Sequence, residues 1–222
     1  MGRQLSPGFA PSDRALGPAA GLTPPSQRRR LLDAMVACCA EKTYAGTTIA
    51  DVVSRASVSR TTFYKLFNDK RDCFDAAVTQ CIDRIAAILR AAADGCDSPA
   101  EATRRGVVAG LDLLAAEPEL ALVLGGDVVG VDPQLVYRYS AFTVPALEEM
   151  WERAGAPPRR GHLSPALAFG RAQLLVFHEV AGGHPERLPD LVPDVVYLAI
   201  APFAGHDEAL RQARLAGGEA SP

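Results

Sequence analysis

Thr47-Thr48-Ile49-Ala50-Asp51-Val52-Val53-Ser54-Arg55-Ala56-Ser57-Val58-Ser59-Arg60-Thr61-Thr62-Phe63-Tyr64-Lys65-Leu66-Phe67 is the stretch on which the reading of this chain turns. Thr48 and Asp51 stand at capping-box spacing, so the Thr48 hydroxyl can take an orphan backbone N–H at the start of a helix. Ile49, Val52, Val53 and Ala56 supply that helix with an apolar face. A brief turn at Ala56-Ser57-Val58 follows, and Ser59 caps a further short helix that runs to about Phe67. On this second helix Phe63 and Phe67 lie one turn apart and face inward, while Ser59, Arg60, Thr61, Thr62, Tyr64 and Lys65 are left outward or beside it. Two short helices joined by a tight turn form a helix-turn-helix, whose second helix fits the major groove of DNA. The outward residues suit that place: Arg donates to guanine edges, Thr offers a hydroxyl and a methyl, and Tyr and Lys reach phosphates.

Working outward, the pattern stays helical. Leu31, Leu32, Met35, Val36, Cys39 and Ala40 make one stripe of a preceding helix that ends near Lys42. Behind the motif, Asp69 caps a long helix to Ala93 with Phe74, Ala77, Val78, Cys81, Ile82, Ile85 and Leu89 at helical spacing. Pro99 to about Ala116 reads as the next helix, and a short one opens at Pro118 and stops at Gly125-Gly126. Asp132-Pro133 opens a segment to Gly155 that Pro145 should kink, Ser164-Pro165 opens one that closes at Gly182-Gly183, and a last helix covers about Asp190 to Ala204. No strand pattern competes. Prolines and glycines crowd residues 1–24, which reads as a flexible arm, and residues 206–222 read as a loose tail.

The 222 residues carry a formal charge of −3, which conceals an asymmetry. Residues 1–72 hold 11 Lys/Arg against 6 Asp/Glu, and residues 73–222 hold 12 against 20. A basic head on an acidic body points to a polyanion partner for the head alone. No secretory leader and no apolar run of membrane-spanning length is present, so a soluble, cytoplasmic protein without membrane contact is expected. The 5 cysteines, Cys38, Cys39, Cys73, Cys81 and Cys96, form no C-x-x-C pair and read as small buried hydrophobes, with a redox thiol at Cys81 or Cys96 as the competing reading. The histidines lack metal spacing: His178 lies on a strongly apolar helix and reads as a core residue, and His162, His184 and His206 fall in loops.

With these residues in place, the chain resembles the TetR (tetracycline-repressor) family of bacterial regulators. The resemblance rests on Tyr44, Thr47, Thr48, Ile49, Ala56, Val58, Ser59, Thr62, Phe63, Tyr64, Phe67 and Lys70, in register over about residues 28–75. It implies an all-α fold: a three-helix helix-turn-helix DNA-binding domain over 25–70, then a helical ligand-sensing and dimerisation domain over 71–205. About nine helices result in all. It also implies that Thr48, Tyr64 and Lys70 hold phosphates while Arg60, Thr61, Thr62 and Lys65 face base edges, with Ser59 beside them. Arg28, Arg29 and Arg30 steer the head or form a solvated helix end. Four departures stand out. Ser57 and Thr43 occupy positions where the family has glycine, so a positive φ at either would carry strain. Thr61 replaces a smaller residue, and Leu66 replaces a histidine or tyrosine.

The implied partners are double-stranded DNA with a near-palindromic site, a second copy of the chain, and a small-molecule effector; no cofactor and no metal is implied. The last two helices would pair with their mates as a four-helix bundle that buries Leu167, Leu174, Leu175, Phe177, Val195, Val196 and Leu198. Trp151, Tyr137, Tyr139 and Phe142 read as core residues or as the lining of a cavity. Readings from other classes fit less well. An enzyme is opposed by the lack of any G-x-S-x-G, phosphate loop, H-E-x-x-H or paired-carboxylate motif, so no catalytic residue is assigned. A purely structural helix-turn-helix does not explain the outward polar set, and a regulator that senses no ligand differs only in its body.

Overall fold

The computed structural model describes residues 26–127, 144–145, 147–153 and 164–218, and among these it is helical throughout with no strand. The expected arm at 1–24 lies outside the described residues, as do Tyr137, Tyr139, Phe142, His162 and most of the segment from Asp132 to Gly155.

The head is one long helix and two short ones on the front half of a further long helix. In α1 (Gln27–Gly46), Ser26 accepts from the Arg29 N–H at 3.2 Å, and Leu31, Leu32, Met35, Cys38 and Cys39 make the buried face. The helix does not stop at Lys42 as its apolar stripe suggested. It breaks at Thr43 (φ 60°, ψ 164°) and takes one more turn, because the Thr47 hydroxyl and N–H both donate to the Thr43 carbonyl, at 2.8 and 3.1 Å. The capping box then starts α2 (Ile49–Ala56), and Ser57 in the left-handed region (φ 52°) turns the chain into α3 (Arg60–Leu66). Phe63, Val52, Phe74, Leu31 and Met35 are wholly buried together in the head's core.

Both residues that stand where the family has glycine therefore adopt positive φ. Side chains there cost energy that glycine avoids, more so for a β-branched one. Ser57→Gly should stabilise the protein by about 0.5–1 kcal/mol, net of glycine's larger unfolded-state entropy, and Thr43→Gly by about 1–2 kcal/mol. Melting curves would register each as a rise of a few degrees; a fall at either position would refute the strain argument.

The long helix α4 (Lys70–Ala93) joins head to body. Its first half buries Cys73, Phe74, Ala77 and Val78 in the head, and its second half packs along α5 (Pro99–Ala116). The short α6 (Pro118–Leu122) and the π turn Val123–Asp127 are shared between two cores: Leu120, Val123 and Leu124 complete the head's, while Ala121 belongs to the body's. Arg84 of α4 holds Glu117, between α5 and α6, with both terminal guanidinium nitrogens.

The rest of the body is α7 (Pro165–Ala181), a 3-10 turn Pro185–Leu191 anchored by the buried Leu188, α8 (Val192–Ala204) and α9 (His206–Ala216). The expected loose tail is thus corrected over most of its length. Gly205 (φ 83°) reverses the chain, and α9 lays Ala209, Gln212 and Ala213 against α8 and α5, with Arg104 donating to Gln212 Oε1 at 2.9 Å. Its apolar face is made of alanines, too small to register as a stripe. A second correction concerns Val195 and Val196, which are buried in the protomer's own core and are not available to a partner. A third is His178, which is exposed on α7.

Among the described residues no helix is long and apolar enough to cross a membrane, and no group of His, Cys, Asp and Glu is arranged to hold a metal. Burial pushes the Cys73 and Cys81 thiols up to about 12, so Cys81 packs rather than reacts.

Candidate nucleic-acid interface

The second helix of the motif is held from below and bare above. Phe63 and Phe67, 0% and 3% exposed, meet at a tilt with ring centroids 5.6 Å apart and fix α3 to the head. Arg60, Thr61, Tyr64 and Lys65 are all exposed on the opposite side, Tyr64 by 50%. The Arg60 guanidinium lies 5.8 Å from the centroid of the Tyr64 ring, which holds an otherwise long, mobile side chain in a defined position. Leu66, 38% exposed, adds an apolar group that the sequence reading treated only as a lost polar one; an exposed leucine here suits a thymine methyl. Arg28 of α1 sits over the Phe67 ring at 5.4 Å, so one of the three α1 arginines borders α3, while Arg29 faces Asp33 at 3.7 Å.

The other sequence-derived residues are engaged within the head. The Ser59 hydroxyl accepts from the Thr62 N–H at 3.1 Å and pairs with the Thr62 hydroxyl at 2.9 Å, so these two residues shape the start of α3. Thr48 accepts from the Asp51 N–H at 3.2 Å and donates its hydroxyl to Asp51 Oδ2 at 2.7 Å. Lys42 donates to Asp51 Oδ1 at 2.7 Å, and this contact, with those from Thr48, holds the Asp51 carboxyl well below the usual carboxylate range. The sign follows: the contribution of the cap is complete above Asp51's ordinary pKa and fades only as pH falls toward its depressed value.

Lys70 is placed differently from a free surface lysine. Its ammonium donates to the carbonyls of Tyr44 and Thr47 at 2.8 and 2.9 Å and lies 4.0 Å from the Tyr44 ring centroid. Tyr44 in turn rests on Phe74 at 4.7 Å. The start of α4 is thereby latched to the connector between α1 and α2. An ammonium has three N–H groups, so one remains for an anion.

A second feature lies in the body: a cavity of about 500 Å³ bounded by α4, α5, α7, α8 and the π turn. Its walls are almost entirely carbon, among them Ile85, Leu89, Leu111, Val176 and Phe203. Phe177 and Leu198, assigned from sequence to a dimer contact, line it instead. At the end nearest the head, Gly125 meets the Phe177 ring so closely that a Cβ there would fall 2.5 Å from Phe177 Cδ2. Trp151 stacks on Phe203 at 5.4 Å and is core rather than lining.

Residues 31–77 match the family model of bacterial regulatory proteins of the tetR family. The chain superposes on the fatty acid degradation regulator FadR of Bacillus halodurans with a TM-score of 0.65 at 22% identity, over 77% of this chain and 96% of that one. A TetR-like regulator of Rhodococcus sp. RHA1 gives 0.61 at 20% identity, over 81% and 98%. FadR of Bacillus subtilis, solved in complex with stearoyl-CoA, gives 0.57 at 15% identity, over 80% and 98%. No curated protein sequence matches the chain. At these identities the superpositions establish the fold, and the match over residues 31–77 shows that the head carries the helix-turn-helix of the tetR-family model.

Proposed function

We propose that the protein acts in the cytoplasm as a homodimeric repressor that reads a near-palindromic operator and leaves it when a small molecule enters the body cavity. The observation that carries the reading is the bare face of Arg60, Thr61, Tyr64 and Lys65 on a helix pinned by two buried phenylalanines. Arg60, Thr61 and Lys65 are assigned to base edges and Tyr64 to phosphate. Ser59, Thr62 and Thr48 position the helices, and Lys70 both braces the head and offers its remaining N–H to a phosphate.

A second copy of the chain is supported by α7. Leu167, Leu174 and Leu175 are 54%, 56% and 38% exposed, and they share one face with Gly170, Arg171 and His178. Leucines at this spacing on an outward helix face make a seam for a like helix. Pairing sets the two α3 helices about 34 Å apart, one turn of DNA. The cavity lies against α4, so a ligand that prefers another α4 position changes that spacing and releases DNA. The B. subtilis relative that holds stearoyl-CoA has this fold, which supports an effector with an apolar body.

Selection of bound fragments from random DNA should return an inverted repeat. Arg60→Ala should flatten the preference at one position of each half-site, at a cost of about 1–3 kcal/mol for the preferred base. Lys70→Met should lower affinity for all DNA and reduce the salt slope by about one. An unchanged slope with a lower melting temperature would reduce Lys70 to its brace.

A further inference from the structure

From the distribution of polarity in the body cavity we infer that the effector is an elongated apolar molecule ending in one anionic group, and that Arg90 receives the anion. This deepens, and rests on, the reading of the cavity as the effector site. Along α4 the lining is carbon at Ile82, Ile85, Ala86 and Leu89 and turns cationic at Arg90. Where Gly125 meets Phe177 the side chain presented is a phenyl ring, so a ligand lying along α4 meets carbon over most of that helix and a guanidinium at Arg90.

The other polar groups of the lining narrow the choice. The Thr103 hydroxyl already donates to the Pro99 carbonyl at 2.8 Å, Arg153 pairs with Glu149, and Gln173 brings an amide without charge. Arg90, exposed at the rim, makes no such contact among the described residues, so its donors are available to a carboxylate or phosphate there. Trp151, between lining residues Met150 and Arg153, is 3% exposed, and its ring N–H is buried without a hydrogen-bond partner. The volume of about 500 Å³ is in the ordinary range for a site enclosing a small organic ligand.

The chain has 1 tryptophan, so its fluorescence reports on this region alone. The full-length protein is titrated with dodecanoate, dodecanol and dodecanoyl-CoA below their micellar concentrations, with calorimetry in parallel. Dodecanoate or its CoA thioester should shift the Trp151 emission and raise the melting temperature, with dodecanol about 10- to 100-fold weaker. R90Q should bring the anionic ligand down to the level of the alcohol and leave the alcohol unchanged; its unliganded melting temperature checks the fold. Which of the two anionic ligands binds tighter tells whether the anion is a carboxylate or a phosphorylated carrier. Equal binding of acid and alcohol, indifference to R90Q, or binding of neither would overturn the inference. Operator binding by ligand-free protein is measured alongside. Its absence would sink the regulator reading, whereas operator binding that ignores every dodecyl compound sinks only the effector assignment.

Discussion

Phe63→Ala should unfold or nearly unfold the head and abolish operator binding, though the substituted residue touches no DNA. Phe63 is wholly buried, packs at a tilt against Phe67 and shares the head's core with Val52 and Phe74. Removing a buried phenylalanine ring costs about 3–5 kcal/mol, from lost burial and from the cavity left behind. That is a large part of the whole stability of an ordinary domain, about 5–15 kcal/mol. Circular dichroism melting should show a drop of about 6–20 °C, or a separate early transition for the head. A loss below about 1 kcal/mol with DNA binding intact would mean that α3 is held by something other than its two phenylalanines.

The double substitution Leu167→Glu, Leu174→Glu should give a folded monomer whose operator affinity falls by about 100-fold or more. Both leucines are more than half exposed in the protomer, so the change leaves its own core untouched. Across a two-fold seam it sets like charges opposite one another in an apolar contact. Two linked heads gain about 10²- to 10⁴-fold over one from effective concentration, and that gain disappears with the seam. Sedimentation velocity at micromolar protein gives the oligomeric state, and a gel shift on the selected operator gives the affinity. A double variant that stays dimeric would move the interface away from α7.

The head was legible because each of its elements carries a local signal. Thr48 with Asp51, Ser59 with Thr62, and Asp69 with Asp72 stand at capping distance along the chain, and each pair makes the expected bond. The spacing of Phe63 and Phe67 fixed the inner face of α3 and, by exclusion, its outer face. The two strained backbone positions were visible as well, since Thr43 and Ser57 stand where a glycine is usual and both take positive φ.

The body was legible only as a series of helices. Helix α9 was missed because its buried face is alanine and glutamine, whose burial depends on how closely α5 and α8 approach. Val195 and Val196 were assigned to a partner because apolar residues all round a helix show that it is covered, not by what. The cavity and the placing of Arg90 on its lining have no sequence pattern at all; they arise from residues far apart in the chain.

By itself the chain of residues determined the helices of the head, how they are capped and which side of α3 faces out, since hydrogen bonds and side-chain periodicity within four residues settle all of these. Only the tertiary structure decided that Lys70 latches two carbonyls, that α6 and the π turn serve both cores, and that the body encloses a carbon-lined space. Those depend on how whole helices pack, and packing is set by the shapes that distant side chains present to one another, which no local spacing encodes.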